Sequence, residues 1–294
     1  MAGPAESASL PDDGAPIGIV CGAGSMPLAV AEAASRRGRR VLLLGLRGFA
    51  DPQIERYPSH WVALGQLGRI FRLLRAAGCR DVVFIGALVR PSFGRIRLDW
   101  TTLRLLPRLA GAFRGGDDHL LAGVGRIFED HGFRLVAAHA VAPEILLPQG
   151  PLGSRLPGER DRADISRALA LLAATGPYDV GQAAVVADGH VLAIEAAEGT
   201  DRMLARVAAL RQEGRIRIAA GIGVLVKAPK PQQDHRFDLP SIGPQTIEGL
   251  ARAGLAGLAV VAGGTIVAEP QRVARLAEQH GVFVVGVPSR ESGP

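Results

Sequence analysis

The sequence predicts an α/β protein with a Rossmann-like N-terminal domain and a second α/β domain that contains hairpins. Three observations predict this class. In the first half, short apolar runs alternate with amphipathic stripes of helical period, which is typical of a parallel sheet covered by helices. A glycine-rich turn joins the first apolar run to the first stripe. In the second half, the dipeptide Asp188-Gly189 separates two apolar runs, which is a strong hairpin signal.

Composition limits the possible classes of protein. The chain has 294 residues, of which 48% are hydrophobic, so it can form sizeable cores and favours two domains. Aromatic residues make up only 4%, which argues against base-stacking surfaces and therefore against a nucleic-acid partner. The net charge of +6 indicates either solvated helix ends or attraction to anionic substrates or an anionic bilayer surface. Cys21 and Cys79 are far apart in apolar contexts, which favours a reducing cytoplasm without disulfides or thiolate metal sites.

Changes in composition predict four segments. Residues 1–14 are polar and rich in Pro and Gly, without a basic head followed by an apolar core, so they predict a disordered tail and not a signal peptide. Residues 15–142 form the Rossmann-like domain, 143–160 a linker rich in Pro and Gly, and 161–290 the C-terminal α/β domain. No apolar run approaches the roughly 18 residues of a spanning helix.

The individual elements follow from periodicity and from turn residues. In the first half we predict strands at 17–20, 41–44, 81–85 and 133–139, and helices at 28–37, at 66–77 and from the Gly115-Gly116 turn to Gly132. In the second half we predict helices at 163–175, after Thr200 as N-cap, from Thr246 to 253 and at 270–280, strands at 222–226 and 282–287, and hairpins at 184–195 and 258–267.

The first candidate site is the glycine turn after the first strand. Gly22, Gly24 and Ser25 precede a helix that has Pro27 near its start, a layout that points helix N–H groups at an anion. Pro27 interrupts the full G-x-G-x-x-G pattern. The turn therefore indicates either a nucleotide or phosphate site or only a tight strand-to-helix connection.

The second candidate site is the loop that follows the strand at 222–226. Prolines make this loop stiff and extended because they fix φ and remove backbone donors. Lys227 and Lys230 are the only two lysines of the chain, whose other basic residues are all arginine. They are either a coincidence on a solvated loop or a pair of cations that faces an anion, most simply a phosphate.

Acidic residues at helix starts are further candidates. Asp117 and Asp118 follow a glycine turn and either cap the next helix or contact a metal or a sugar hydroxyl. Glu198 and Asp201 lie at a predicted strand-to-helix corner and are either capping acids or ligands.

Four segments together resemble one known family. They are Gly22-Ala23-Gly24-Ser25-Met26-Pro27, Gly116-Asp117-Asp118, Glu198-Gly199-Thr200-Asp201, and the run from Lys230-Pro231-Gln232-Gln233-Asp234-His235-Arg236-Phe237-Asp238 to Leu239-Pro240-Ser241-Ile242-Gly243. The chain resembles the LpxI-type UDP-2,3-diacylglucosamine pyrophosphatases of lipid A biosynthesis over essentially its whole length after the tail. The last segment is long and unusual and therefore specific. Met26 stands where leucine is expected, which is a conservative departure.

The resemblance implies a cytoplasmic, homodimeric enzyme with a catalytic C-terminal domain and its substrate between two domains. It implies Mg²⁺-dependent hydrolysis of UDP-2,3-diacylglucosamine at the sugar-side phosphorus, which gives UMP and 2,3-diacylglucosamine 1-phosphate (lipid X). Because the substrate is a lipid and the chain is basic, we also expect peripheral contact with the inner membrane leaflet.

Residue chemistry agrees with this resemblance. A pyrophosphate needs cations, a metal and a positioned water. We expect Lys230, Arg236, Asp234 and Asp238 to be catalytic, and the two aspartates to hold Mg²⁺ or to orient water. The expected substrate-binding residues are Gly22, Gly24, Ser25, Asp117, Asp118, Gly199, Thr200, Asp201, Lys227, Gln233, Gly243 and Thr246.

Two other functions fit part of the sequence. A nicotinamide-linked oxidoreductase would use the glycine turn, but Gly45-Leu46-Arg47 ends the second strand where an acidic residue is expected. A non-catalytic protein that binds anionic lipid or nucleic acid would use the positive charge, and its binding would depend steeply on salt.

Overall fold

The structure is a computed structural model that describes residues 14–87, 98–112, 117–230, 236 and 239–288, with the backbone alone at 109–112 and 117–121. The chain divides into two compact units between Ile145 and Leu146, and Arg236 belongs to the first unit. Each unit has a parallel sheet of its own, so the predicted α/β class is confirmed.

The first unit contains a five-stranded parallel sheet in the order β3-β2-β1-β4-β5. This is the strand order of a Rossmann sheet. The order of the strands reverses between the parallel neighbours β1 and β4, and such sheets usually bind ligands outside the carboxyl ends of the strands at that point. The strands are β1 (Ile17–Cys21), β2 (Val41–Leu46), β3 (Ser59–Val62), β4 (Asp81–Ile85) and β5 (Arg134–Leu135).

Helices cover this sheet and supply its core. Phe71 and Phe128 are buried and meet edge to face with ring centroids 4.9 Å apart, beside the buried side chains of Leu44 and Val82. The helices are α1 (Met26–Arg36), α2 (Leu67–Ala76), α3 (Trp100–Ala112), α4 (Asp117–Asp130) and α5 (Ala138–Val141).

Three features of the first unit differ from the sequence prediction. The strand predicted at 133–139 is wrong beyond Leu135, because β5 is an edge strand that pairs only with the first two residues of β4 and the alanine-rich residues after it form α5. The sequence analysis also missed β3 and α3. Whether Asp117 or Asp118 caps α4 lies outside the described side chains.

A buried carboxylate anchors the amino edge of this sheet. Asp81, at the start of β4, accepts hydrogen bonds from Arg39 at 2.8 Å and from Arg134 at 2.6 and 2.9 Å. Burial alone would raise the pKa of Asp81, but the two guanidinium groups outweigh it and hold that pKa below its ordinary value. The charge is therefore kept in the ionised form at the edge of the sheet opposite the carboxyl ends.

The second unit contains a six-stranded mixed sheet in the order β6-β13-β11-β9-β7-β8. Strands β9, β11 and β13 are parallel, whereas β7 is antiparallel to both β9 and β8. A separate parallel pair joins β10 to β12. The strands are β6 (Gly150–Pro151), β7 (Ala183–Ala187), β8 (His190–Ile194), β9 (Val224–Lys227), β10 (Ser241–Ile242), β11 (Gly257–Val261), β12 (Ile266–Val267) and β13 (Phe283–Val287).

Both faces of the second sheet are covered, which explains why its central strands are apolar throughout. Ile165 and Leu172 of the first helix lie in the core cluster on one face, and Leu204 and Leu250 of later helices lie in the cluster on the other. The helices are α6 (Glu159–Thr175), α7 (Thr200–Gln212), α8 (Pro244–Arg252) and α9 (Pro270–His280). No helix within the described ranges is long and apolar enough to cross a membrane.

The first predicted hairpin is confirmed as β7 and β8. Asp188 and Gly189 have φ of 49° and 75°, as a type I′ turn requires, and the buried Asp164 carboxylate accepts both of their backbone N–H groups at 2.8 and 2.7 Å. The second predicted hairpin, at 258–267, is wrong. Strand β11 already has β9 on one side and β13 on the other, so β12 has no free edge there and pairs with β10 instead.

Candidate active site

The glycine turn after β1 is a place where two loops touch. A Cβ atom on Gly22 would lie 2.6 Å from the carbonyl oxygen of Gly86 and 2.8 Å from that of Ala87, both backbone atoms that follow β4. Ala23 and Ala87 exchange two backbone hydrogen bonds, of 2.9 and 3.0 Å. Gly22 is therefore required for close packing of the two loops at the carboxyl edge of the first sheet.

The rest of this turn is open to solvent. Gly24 and Ser25 are exposed, and Ser25 is the N-cap of α1 but makes no side-chain capping hydrogen bond. Pro27 lies in the first turn of that helix. The start of α1 thus presents backbone N–H groups at the carboxyl edge of a Rossmann sheet, an arrangement that can hold an anion through main-chain donors.

The second unit carries charged side chains at the corresponding edge of its sheet. Lys227, the last residue of β9, is only 5% exposed, and its Nζ donates to Thr200 Oγ1 at 2.9 Å and to the Ser241 carbonyl at 3.0 Å. Thr200 in turn donates to Glu195 Oε1 at 2.7 Å. Glu195 is 8% exposed, and its Oε2 accepts the Gln182 N–H at 3.1 Å. We call Lys227, Thr200 and Glu195 the polar chain of the second unit.

Sequence reasoning found two members of this chain and missed the third. Glu195 follows β8, which is parallel to β9 because both strands pair antiparallel with β7. The carboxyl ends of β8 and β9 therefore meet at one edge. The signal in the sequence was an acid at the end of an apolar strand, five residues before Thr200, but the sequence did not show that β7 lies between β8 and β9.

The polar chain also corrects the assignment of Thr200 as a helix cap. The N-cap of α7 is Gly199, with φ of 78°, and Thr200 is the first helical residue. Its hydroxyl instead donates a hydrogen bond to Glu195 and accepts one from Lys227. Asp201 follows in the first turn and is exposed.

Lys230 has a different environment from Lys227. Its Nζ forms an ion pair with Asp179, and its side chain is 18% exposed. Asp179 precedes β7 and has a left-handed backbone conformation. The two lysines thus lie at the same edge of the second sheet but contact different acceptors among their described partners.

The predicted sequence of strand, loop and helix around Gly243 is confirmed, but the predicted first residue of the helix is wrong. Helix α8 begins at Pro244 and not at Thr246, which is the third helical residue. The Thr246 hydroxyl accepts the N–H of Gly243 at 3.3 Å. Gly243 and Thr246 therefore lie together, close in sequence to Ser241, whose carbonyl accepts from Lys227.

Other candidates lie apart from the polar chain or outside the described residues. Arg236 forms an ion pair with Glu129 of α4 at 2.7 Å, within the first unit. Glu198 pairs with Arg206 of α7 at 2.7 Å. The side chains of Asp117 and Asp118, together with Gln233, Asp234 and Asp238, lie outside the described part of the chain. Within that part, no group of three or more His, Cys, Asp or Glu residues could hold a metal ion.

These features define the class as a two-unit α/β protein with a Rossmann-type sheet and a second mixed sheet that collects buried charge at its carboxyl edge. Family models identify it more closely. Residues 16–145 match the LpxI N-terminal domain, and residues 148–285 match the LpxI C-terminal domain. The chain belongs to the LpxI family.

A characterised relative supports this assignment. The chain is 45% identical over 275 residues to the UDP-2,3-diacylglucosamine pyrophosphatase LpxI of Caulobacter vibrioides, which covers 94% of this chain and 98% of the relative. A UDP-glucose-4-epimerase from Stenotrophomonas maltophila, solved with bound NAD and formylated UDP-arabinopyranose, matches 95% of this chain and 88% of its own. Its TM-score is 0.30 and its identity 15%, a likeness that says nothing about function.

Proposed function

We propose that this protein hydrolyses the pyrophosphate of UDP-2,3-diacylglucosamine to UMP and 2,3-diacylglucosamine 1-phosphate. The observation that carries the proposal is the 45% identity, over nearly the full length of both chains, to a pyrophosphatase with this substrate in its name. The match includes both family domains, so neither half of the chain is an unrelated addition.

The charges at the carboxyl edge of the second sheet support this chemistry. A diphosphate carries negative charge on both phosphorus atoms, and its hydrolysis requires cations that stabilise this charge and that of the leaving phosphate. Lys230 lies at this edge with its amine paired to the half-exposed carboxylate of Asp179, which a diphosphate could replace. In the first unit, the guanidinium of Arg236 pairs with the Glu129 carboxylate, and both side chains are partly exposed, so we propose that it can also turn to a diphosphate.

Lys227 has a different role in this proposal. Its amine is buried and donates to Thr200 and to the Ser241 carbonyl, so it positions the start of α7 and the strand β10. Residues that we propose for substrate binding lie beside these elements, with Gly199 and Asp201 at the start of α7 and Gly243 and Thr246 just after β10. In this role Lys227 stabilises the contact between the start of α7 and β10 and adds a fixed positive charge near the substrate phosphates.

We propose that the carboxylates of Asp234 and Asp238 act in the reaction. Carboxylate oxygens are the ligands that Mg²⁺ prefers, so the chemistry of this pair fits the ion. When bound, Mg²⁺ would neutralise charge on the diphosphate. One aspartate then remains available to orient the attacking water and accept its proton as a general base. The glycine turn Gly22–Ser25 supplies main-chain donors that suit a nucleotide phosphate.

The surroundings of the reaction follow from its substrate. A diacylated sugar nucleotide belongs to a membrane surface, so we propose peripheral contact with the cytoplasmic leaflet. A homodimeric state and a cytoplasmic location are proposed from the resemblance to the family. The positive net charge of +6 supports attraction to anionic lipid.

The test is incubation with UDP-2,3-diacylglucosamine and Mg²⁺ in water enriched in ¹⁸O, followed by mass detection of both products. We expect UMP without label and lipid X with one ¹⁸O in its phosphate, because attack at the sugar-side phosphorus adds the water oxygen there. Excess chelator should abolish turnover, and added Mg²⁺ should restore it. Full activity in chelator would contradict the metal proposal, and label in UMP would contradict the site of attack.

The absence of UMP under all conditions would contradict the enzyme proposal itself. If that result came with vesicle binding that falls steeply with salt, it would favour a non-catalytic protein that binds anionic lipid.

A further inference from the structure

Helix α3 of the first unit exposes a row of large apolar side chains. Trp100 is 68% exposed, Leu103 42% and Leu106 37%, and Leu98 just before the helix is 42% exposed. The three helical residues are spaced three apart and so lie along one side of the helix. Thr102 and Leu105 of the same helix are buried in the unit. Exposed apolar residues grouped in this way mark an interaction surface.

The stretch of sequence that contains this helix is strongly positive. Residues 90–114 contain six arginines and one aspartate, a formal charge of 6 − 1 = +5 in a chain whose total is +6. The aspartate, Asp99, is already engaged, because it accepts Thr102 N–H at 2.9 Å, Thr102 Oγ1 at 2.8 Å and Arg69 N–H at 3.0 Å. The Arg104 guanidinium lies 5.2 Å from the ring centroid of Trp100, so cation and indole occupy one side of α3.

We propose that this α3 surface, formed by Leu98, Trp100, Leu103, Leu106 and Arg104, binds an anionic bilayer. Tryptophan favours the boundary between headgroups and acyl chains, leucines bury their side chains just below it, and arginine pairs with lipid phosphates. A helix with apolar residues beside arginines is typical of a segment that lies in the membrane surface.

Charge also decides between a bilayer and a second copy of the chain. In a two-fold symmetric contact the same patch meets itself, so the arginines of this surface would face their own copies. Like charges opposed in this way disfavour association, whereas anionic headgroups match the formal charge of +5 that residues 90–114 carry in the sequence. A bilayer is therefore the occupant that the composition of this surface fits.

The biological reason for membrane binding rests on the proposed function, whereas the observations that support it do not. A diacylated substrate would be taken directly from the bilayer if the protein binds there through α3. The exposure of α3 is a property of the described residues and the charge of residues 90–114 is a property of the sequence, whatever reaction the chain catalyses.

The first experiment reads the position of Trp100 directly. The chain has two tryptophans, so Trp61→Phe leaves Trp100 as the only indole. Vesicles of phosphatidylcholine and phosphatidylglycerol should shift the emission of this variant to shorter wavelength, and brominated acyl chains should quench it. Pure phosphatidylcholine should produce a much smaller change, and so should high salt. Unchanged emission with anionic vesicles would overturn the proposal.

The second experiment measures flotation of the full chain with the same vesicles. We expect Leu103→Ser with Leu106→Ser to lower the bound fraction about tenfold, since two apolar side chains no longer enter the bilayer. Leu156→Ser is the matched control, because Leu156 is a 63% exposed leucine of the second unit. Arg104→Ala should weaken flotation several-fold, whereas Arg272→Ala, an exposed arginine of α9, should not.

The outcomes separate this inference from the proposed function. Turnover of substrate in detergent micelles should be unchanged in all four variants, because micelles deliver the lipid without a bilayer. Loss of flotation with normal micellar turnover supports the inference, and flotation equal to that of the unaltered chain overturns it. If the double variant instead dissociates a dimer by sedimentation equilibrium, α3 is covered by a second copy and the inference is wrong. If no form turns over substrate, the proposed function fails while the flotation result still stands.

Discussion

The two sheets of this protein end in different ways at their carboxyl edges. In the first unit that edge is made of backbone, because Gly22 and Gly86 let two loops touch and Gly24 and Ser25 leave helix N–H groups exposed. The buried charge of this unit lies at the other edge, where Asp81 meets Arg39 and Arg134.

In the second unit the buried charge lies at the carboxyl edge itself. Lys227 and Glu195 are both buried there and are joined through Thr200. A buried charge is costly unless its hydrogen bonds are satisfied, so its placement is informative. In the proposed function, the first unit binds a substrate phosphate through main-chain donors, and the second unit supplies charged side chains for the reaction. Four predictions test this contrast, from the largest expected effect to the smallest.

The largest effect should come from the loop that leaves the charged edge. Asp238 precedes Leu239 and Pro240 in the sequence, and proline restricts the backbone of the residue before it, so we propose Asp238 as a positioned carboxylate. Asp238→Ala should lower the single-turnover rate by about 10²-fold or more, and substrate affinity should be unchanged or tighter because a repelling charge is removed. Thermal midpoint, affinity and rate are measured on one preparation.

Asp130→Ala, which removes an exposed carboxylate of α4, is the control for the Asp238 variant and should change none of the three. A near-normal rate in folded Asp238→Ala protein would transfer the catalytic role to Asp234. A lower thermal midpoint with a normal rate would show instead that Asp238 stabilises a turn.

The two lysines should respond differently to the same substitution. Lys227→Met leaves the Thr200 hydroxyl and the Ser241 carbonyl without this buried donor, so we expect a loss of about 2 to 4 kcal/mol in the free energy of unfolding. Lys230→Met breaks a partly exposed ion pair with Asp179, so the loss should be below about 1 kcal/mol. Chemical denaturation measures both losses.

The activities of these lysine variants complete the comparison. Lys230→Met should lower turnover about tenfold or more, because it removes a cation proposed to face the diphosphate. Equal stability losses for the two variants would contradict the assignment of Lys227 as the structural lysine of this edge and Lys230 as the functional one. Normal turnover of Lys230→Met would remove Lys230 from the proposed site.

The backbone character of the first edge is tested at Gly22. Gly22→Ala places a Cβ atom 2.6 Å from the Gly86 carbonyl oxygen, so the loops must separate at a cost of about 1 to 3 kcal/mol. Gly24→Ala is the matched control, because Gly24 has φ of 96° and no atom within 4 Å of the added Cβ. Its cost should be only the backbone strain of about 1 kcal/mol. Equal losses in urea unfolding would mean that the two loops do not pack closely.

The smallest effect concerns an exposed ion pair of the first unit. The Glu144 carboxylate accepts hydrogen bonds from Arg37 and Arg36 at the end of α1, and chiefly the bond from Arg37 lowers its pKa from 4.5 to about 2. A lowered folded-state pKa stabilises the protein above pH 4.5, and this stabilisation is lost as the pH falls towards 2.

Solvent screens this pair, so Glu144→Gln should cost less than about 1 kcal/mol at pH 7 and nothing near pH 2. Thermal midpoints of both proteins across this range measure the difference. A loss that grows as the pH falls would contradict the assigned sign.

Much of the fold could be predicted from local patterns. The strand, glycine turn and helix at 17–37 and the Asp188-Gly189 hairpin follow from residues adjacent in sequence, because turn chemistry and periodicity act over short distances. The second hairpin could not be predicted in this way. Gly263-Gly264 looks like a hairpin turn, but β11 is already flanked by strands that are distant in the chain.

The candidate site divides along the same line. The sequence alone determined the family signature and the spacing of both lysines, three residues apart at the start of a proline-rich stretch, because these depend only on residue identity and order. Only the tertiary structure decided that Lys227 is buried against Thr200 whereas Lys230 pairs with Asp179, and that Glu195 belongs with Lys227. Burial and pairing depend on which strands become neighbours, and β7 pairs with β9, which is distant in sequence, through contacts that no local pattern specifies.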